Sequence, residues 1–442
     1  MKKKRRRKMK EQKWILSEYE SVDRIADTAR IFSRREGGIG EGFGEGVILC
    51  SRRKMYEEAT ALARYLKRIS GDAEPSVLLV DGGMYDASIV TVACSMLGCT
   101  LTLSEAFPEA IPECSIMIAP HRPAAENGQE YSFVAISELN AIVLGELSAE
   151  DNEEKMQIAP SDDNCLLLQF LRSDSDGGTT LESYSEYDAV MIAEAYARAE
   201  GVFPWDVLYS TLHPCSKEGF FGGLLAPMLT AKKWVYSPYT PLIFEQMRLC
   251  APTKLLCDVE LAQELLSEMR VLKVAPKAWQ KGRGSHPLRL KLDRLFPRTR
   301  AALRRLKMIY VHYPFGGKLS GVITKGELSA DAERGFLEFG VLSSSILTAD
   351  NCPLAGFRKT GDRVGFWRLP KYLCADMCNV DPFGHGTIIL WGGGLSENTP
   401  NGHTFKAGEF REENEKNAWL VSDLFGFSTR KGTFFVKKRL FL

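Results

Sequence analysis

Apolar positions recur along this chain with two alternating periods. From Tyr56 to Ile69 they fall at helical spacing (Tyr56, Ala59, Leu62, Ala63, Leu66), and Ser70, Gly71 and Asp72 close the element. A continuous apolar run, Ser76–Val80, follows as a strand. Ala87–Leu97 reads as a second helix stopped by Gly98, and strand-like runs recur at Thr100–Leu103, Ser115–Ala119 and Ala141–Leu144. The order then repeats: Cys165–Phe170 as a buried strand, Tyr184–Glu200 as a helix and Val207–Leu212 as a strand. Gly222–Leu229 follows as a short apolar helix and Trp234–Tyr236 as a strand. Strands alternating with helices predict an α/β fold whose sheets are covered on both faces.

Beyond about Gly361 the pattern changes. Short strands such as Thr387–Trp391 and Thr433–Val436 alternate with Gly, Asn and Pro turns, which predicts a small β-rich module. The chain of 442 residues is 45% hydrophobic and 26% charged, enough apolar material for two or three subdomains. The longest charge-free apolar stretch, Ser88–Leu103, is rich in Ser, Thr, Cys and Gly. It falls short of the roughly 20 apolar residues a membrane span needs, so a buried helix turning into a strand is expected. No secretory signal is visible, because Glu11, Gln12 and Lys13 follow the basic start. Eleven cysteines, scattered singly apart from Cys374 and Cys378, predict reduced thiols in an intracellular compartment, cytoplasmic or at a membrane periphery. Cys374 and Cys378 with His385 lack a second ligand pair, so buried strand cysteines are expected there and no metal site.

Net charge is only +1, which excludes a whole-molecule field toward nucleic acid. Positive charge is instead local. Residues 1–10 read Met-Lys-Lys-Lys-Arg-Arg-Arg-Lys-Met-Lys, a solvated tail, a nuclear-import patch or a contact for anionic lipid. Residues 277–307 interleave Lys and Arg with leucines. Leu288–Leu295 alternates, whereas Thr299–Met308 has the period of an amphipathic helix. Either a solvated helix face or contact with an anionic membrane surface fits this segment, and sparse aromatic platforms argue against nucleic acid.

The order of pieces resembles the acyl-CoA synthetases within the adenylate-forming (AMP-binding) superfamily, over about residues 50–439. Residues 56–103 are similar to its opening helix, strand, helix and strand. Asp206–Leu212 followed by Gly222–Leu229 resembles the strand and apolar helix after its phosphate loop, and Leu328–Phe336 a helix entered from a small-residue turn. Asp381–Gly392 resembles the hairpin that opens its β-barrel module. Trp419–Gly426, with Gly432–Val436 and Arg439, resembles its ribose-contacting segment up to the interdomain hinge. Gly282–Arg305 is most like the long-chain fatty acid branch. The resemblance implies two packed α/β subdomains in αβαβα-like layers, followed by a small distorted β-barrel module. It divides the chain into a basic tail (1–13), the α/β subdomains (14–360) and the barrel module (361–439).

What the resemblance implies chemically is the joining of a carboxylate to ATP, with Mg²⁺, and transfer of the acyl group to CoA. Such catalysis is mostly positioning and charge stabilisation of the polyphosphate. The stretch matching the phosphate loop, 171–182, keeps Ser173, Ser175 and Gly177, but the lysine position holds Thr180. Asp174 and Asp176 replace a glycine and a hydroxyl residue. Between Leu171 and Val190 five acids face one base, Arg172, where a polyanion should sit. Asp174 to Gly177 does not make a calcium loop, since its first and twelfth positions would be Arg172 and Ser183. In the segment matching the magnesium motif, Thr348 fits, the glutamate position reads Ala349, and Asp350 follows one place later as the candidate substitute. The position of a histidine near the acyl tunnel holds Ser216, with His213 three residues earlier as a strand-end residue. Asp423 is the candidate ribose acceptor and Arg439 the candidate nucleotide contact. Only three residues follow Arg439, so the family's C-terminal lid, with its adenylation lysine and much of the CoA site, is expected to be absent.

Three readings follow. The first is an acyl-CoA synthetase-like protein of fatty acid metabolism that keeps the fold and an acyl ligand but is catalytically impaired, a pseudoenzyme. The second is an active long-chain fatty acid-CoA ligase completed by a partner chain that supplies the lid. The third is a non-enzymatic scaffold or membrane-docking subunit.

Overall fold

The structure, a computed structural model, describes residues 24–44, 46–71, 73–108, 111–123, 131–149, 166–173, 179–238, 240–274, 297–396, 419–429 and 433–439. The basic tail, the loop 174–178 (with Ser175 and Gly177) and residues 275–296 lie outside these.

The chain begins with α1 (Ile25–Ser33) and a hairpin, β1 (Gly38–Phe43) and β2 (Gly46–Ser51). The predicted helix follows as α2 (Arg52–Ser70), N-capped by Ser51, whose side chain accepts from Lys54 N. Then come β3 (Ser76–Val80), α3 (Met84–Leu97), β4 (Thr100–Ser104), β5 (Ile116–Ala119) and β6 (Ser132–Ala135). The expected strand at Ala141–Leu144 is instead part of α4 (Ile136–Ala149). Leu139 and Val143, four residues apart, are buried on one side while Leu144 is exposed, a helical distribution that four residues of sequence could not distinguish from a strand.

A long hairpin, β7 (Leu167–Ser173) and β8 (Thr179–Ser185), leads into α5 (Glu186–Glu200). Tyr184 belongs to the strand, because Ser185 is the N-cap and accepts from Asp188 N. After β9 (Val207–Ser210) the apolar segment forms a π-helix (Gly219–Leu225) running into α6 (Ala226–Thr230), then β10 (Lys233–Tyr236). Next come α7 (Ile243–Cys250), β11 (Lys254–Asp258), α8 (Val259–Val274), α9 (Pro297–Lys307), α10 (Ile309–His312), β12 (Gly321–Lys325) and α11 (Ala330–Phe339). The rest is strand: β13 (Leu342–Ala349), β14 (Cys352–Lys359), β15 (Phe366–Arg368), β16 (Leu373–Cys378), β17 (Gly386–Gly392), β18 (Trp419–Thr429) and β19 (Thr433–Arg439).

These strands make two sheets. The smaller runs β6-β5-β3-β4-β7-β8, parallel except for the last pair. The larger runs β16-β17-β18-β19-β15-β14-β13-β12-β11-β9-β10-β1-β2. Its centre, from β13 to β1, is parallel, and the β-rich end continues it as an antiparallel limb. Among the described residues this limb is an open ladder, not a closed barrel.

One core unites the sheets. Leu79 and Leu168 of the smaller sheet share it with Trp234, Ile323 and Leu354 of the larger, and α5 supplies Ile192, Ala193 and Tyr196 between them. The Tyr196 hydroxyl donates to Pro353 O at 2.6 Å, tying α5 to β14. Arg52 is buried at the start of α2. It lies 4.6 Å from the Trp234 ring and donates to Met228 O and Ala231 O, satisfying carbonyls at the end of α6. Ten described cysteines are free; Cys374 lies on a strand as expected, but exposed rather than buried. No helix among the described residues is long and apolar enough to cross a membrane.

Candidate functional site

Parallel strands bring their carboxyl ends to a common edge, and ligands of α/β proteins bind in the crevice beyond it. Here the carboxyl ends of β4, β12 and β13 converge with the β7–β8 hairpin and the turn before the π-helix. They enclose a cleft of about 440 Å³ lined by Glu105, Glu182, Lys217, Glu218, Lys325 and Asp350 among others.

Several positions singled out from sequence meet there. Thr348, Ala349 and Asp350 line the cleft where β13 ends, and Ser216 lines the opposite wall. Ser216 is part of the turn: its hydroxyl donates to His213 O and accepts from Gly219 N at 3.0 Å. Only glycine fits at 219, since a Cβ there would meet His213 O at 1.9 Å. His213, just past β9, has its Nε2 3.1 Å from Asp81 Oδ1, while its Nδ1 accepts from Cys215 N. The ring thereby bridges an end of each sheet.

Ser173 ends β7 opposite Thr179, and Thr180 pairs with Arg172, so the hairpin carries the loop 174–178 from the cleft-facing segment Phe170–Leu171. Ser175 and Gly177 lie outside the described residues. The backbones of Asp423 and Arg439 come together on the limb, where Arg439 registers with Leu424. Leu424 packs in the same core as Leu347 and Ala349, placing β18 beside the end of β13.

Of the charges that dominate the cleft, the sequence singles out Glu182 alone, as one of the five acids between Leu171 and Val190; its pairing and the other three charges were not foreseen. Lys217, nearly buried, places Nζ 2.7 Å from both oxygens of Glu182, itself almost inaccessible. Glu182 also accepts from the Tyr184 hydroxyl at 2.7 Å. Burial, then the neighbouring Glu182, pushes the Tyr184 phenol well up, so it stays a donor. Across the cleft Lys325 lies 3.2 Å from Glu218. Burial pushes the Glu218 carboxyl up, but Lys325 and then Lys217 outweigh it and hold this group below the usual carboxylate range. Lys217 and Glu218 are adjacent in sequence yet bind opposite walls. A signal existed in the alternation Glu182, Tyr184 on β8, but nothing in the sequence assigned Lys217 as its partner.

Beneath the cleft, Phe170, Tyr184, Phe220 and Phe221 stack edge to face or tilted at 5.5–6.0 Å. All are buried, so rings close the floor. A polyphosphate calls for free cations and backbone donors. Among the described residues the cleft offers one little: both of its lysines are paired with carboxylates, and four carboxylates face the space. Among the described residues no group of three or more acidic, His or Cys side chains is placed to hold a metal.

No protein-family model matches the chain, and no curated protein matches it in sequence. Solved structures do. VinN in complex with L-aspartate superposes with a TM-score of 0.67 at 14% identity, over 93% of this chain and 97% of that one. The anthranilate CoA ligase AuaEII with anthranoyl-AMP gives 0.63 at 13% identity, over 94% of this chain and 77% of that one. A fatty acyl CoA synthetase of Mycobacterium tuberculosis gives 0.65 at 13% identity, over 95% and 78%.

Proposed function

From a chain that has the adenylate-forming (AMP-binding) fold, we propose an acyl-CoA synthetase-like protein whose adenylation step is impaired. The observation that carries this reading is the self-paired cleft: Lys217 is held by Glu182 and Lys325 by Glu218, where the reaction needs cations for a polyanion. Two departures support it. Thr180 replaces the loop lysine, and Ala349 replaces the magnesium glutamate, leaving Asp350 to face the cleft instead. Each hydrogen bond to a charged partner contributes roughly 1.5–3 kcal/mol, so losing two such contacts weakens ATP binding by several kcal/mol. The open antiparallel limb stands in the place of the distorted barrel module, and Asp423 and Arg439 are its nucleotide-contact candidates. Fatty acid is the acyl class we assign, from the wording of 282–305.

The experiment is calorimetric titration with Mg·ATP, followed by pyrophosphate release with oleate. The expected outcome is ATP binding weaker than millimolar and no release above background. Sustained pyrophosphate release with oleate sinks the impairment and leaves an active ligase. That second reading has one observation in its favour: Lys217 and Lys325 already stand in the cleft, and exchange of their partners would free both.

A further inference from the structure

The larger sheet carries another pocket, at the opposite end of its strands from the cleft. It encloses about 170 Å³ between the carboxyl end of α5 and the amino ends of β11, β12 and β13, which begin at Lys254, Gly321 and Leu342. Strand β12 separates the two sites: Gly321 lines the pocket and Lys325 the cleft, about 13 Å apart at 3.3 Å per residue. A cavity of about 150 Å³ holds one benzene ring, so this pocket has the size for a single small ring. Most of its wall is apolar, built from Phe203, Val322, Ile323 and Leu342. The Phe203 ring stacks in turn on exposed Trp205 at 5.0 Å.

Its distinguishing residue is Glu200, the last of α5. Glu200 is 2% exposed, and neither of its carboxyl oxygens has a hydrogen-bond partner. Buried polar groups left without partners are rare and weaken the fold that carries them. Gly222 of the π-helix makes room for the head, since a Cβ there would lie 2.8 Å from Oε1. Turning the head toward the pocket costs no hydrogen bond, because it makes none. A carboxylate does not persist unpaired at such depth. Burial pushes this carboxyl well up, with Lys254 opposing only in part, so the group is the neutral acid. It offers one O–H donor beside one acceptor. The complement is an acceptor beside a donor, as in a primary amide or a lactam, which closes both hydrogen bonds at once. A carboxylate would satisfy the O–H alone and compete for Lys359 with Arg198 O, to which Lys359 Nζ donates at 2.7 Å. A cation would meet Lys254 and Lys359.

We propose that this pocket binds a small neutral amide or lactam carried on a planar apolar body, with Glu200 pairing both of its polar atoms and Phe203 covering its face. The proposal is independent of nucleotide chemistry in the cleft.

The test is ligand-observed NMR on the full chain with benzamide, benzoate and benzamidine, three probes of one shape that differ in charge and in donors. Benzamide is expected to bind, and the other two at least ~10-fold more weakly. Glu200→Leu removes both polar atoms and is expected to weaken benzamide at least ~10-fold. Its thermal unfolding should be no lower than that of wild type, because an orphaned buried group is gone. Glu200→Gln keeps a donor beside an acceptor and is expected to hold benzamide within ~3-fold of wild type. Phe203→Ala, at a partly exposed position, is expected to weaken benzamide too and serves if Glu200→Leu folds poorly. The proposal is overturned if benzamide does not bind, if benzoate or benzamidine binds as well, or if Glu200→Leu and Phe203→Ala leave binding unchanged. Glu200→Gln binding no better than Glu200→Leu also overturns it. So does benzamide binding that Lys217→Met abolishes and Glu200→Leu does not, which assigns the ligand to the cleft.

Discussion

Glu182→Gln separates a cleft that is disabled by its own ion pairs from one that is merely unusual. Lys217 Nζ sits 2.7 Å from both Glu182 oxygens, in a place where neither side chain sees much water. At an effective dielectric near 20 the attraction at that distance is about 6 kcal/mol before desolvation is subtracted. Removing only the cation strands a buried carboxylate with one remaining donor, the Tyr184 hydroxyl. Lys217→Met should therefore lower stability by roughly 3–5 kcal/mol, read from urea unfolding. The double variant Lys217→Met with Glu182→Gln should recover most of that loss, because no charge is left unpaired. Glu182→Gln alone keeps one acceptor oxygen for Tyr184 and Lys217, releases Lys217 from its counter-charge, and takes the cleft lining from four carboxylates against two lysines to three against two. With a charge-assisted hydrogen bond contributing roughly 1.5–3 kcal/mol, Mg·ATP affinity should rise roughly 10- to 100-fold in calorimetry. Two results refute the reasoning: a Glu182→Gln protein that binds Mg·ATP no better than wild type, or a Lys217→Met protein that loses less than about 1 kcal/mol.

Three further outcomes follow from the fold. Arg52→Lys should be destabilising by roughly 2 kcal/mol or more in denaturant unfolding, because an ammonium cannot reach Met228 O and Ala231 O together while lying on Trp234. Glu41, against the start of α3, is pushed up to about 7 by burial and then by Asp86, and burial pushes Asp86 up to about 6. Folding therefore favours the protonated acids; their contribution is present below the unfolded values near 4 and is lost as pH rises through 6 to 7. Glu41→Gln should consequently be more stable than wild type at pH 8, by up to about 3 kcal/mol, and closer to it at pH 5; parallel stability–pH curves would contradict this. Gly340 has φ +80° and a Cβ there would meet Ala301 O at 2.3 Å. Gly340→Ala should push α9 off α11, seen as faster amide exchange at 301–307 and a loss of roughly 2 kcal/mol or more.

Much of the scaffold was legible because local periodicity and burial agree. Ser76–Val80 and Thr100–Ser104 are apolar runs of strand length in a sheet covered on both faces. The helices α2 and α5 carry their caps in the sequence, Ser51 before one and Ser185 before the other. Residues 136–149 resisted, because a four-residue apolar run carries no period; the buried pair Leu139 and Val143 settles it only once α4 has a core to face.

The candidate site divides the same way. Thr348, Ala349 and Asp350 were singled out by order along the chain and lie at the cleft, because it is built at the end of β13; Thr180 is on β8 but is not part of the lining. The charge balance of the cleft could not be read that way. Glu182 and Lys217 are 35 residues apart, one on the last strand of the smaller sheet and one in a turn leaving the larger. Their pairing exists only where the two sheets are packed together. The sequence by itself determined the local elements whose ends meet at the cleft; the packing of one sheet on the other decided which charges line it and that its lysines are already taken.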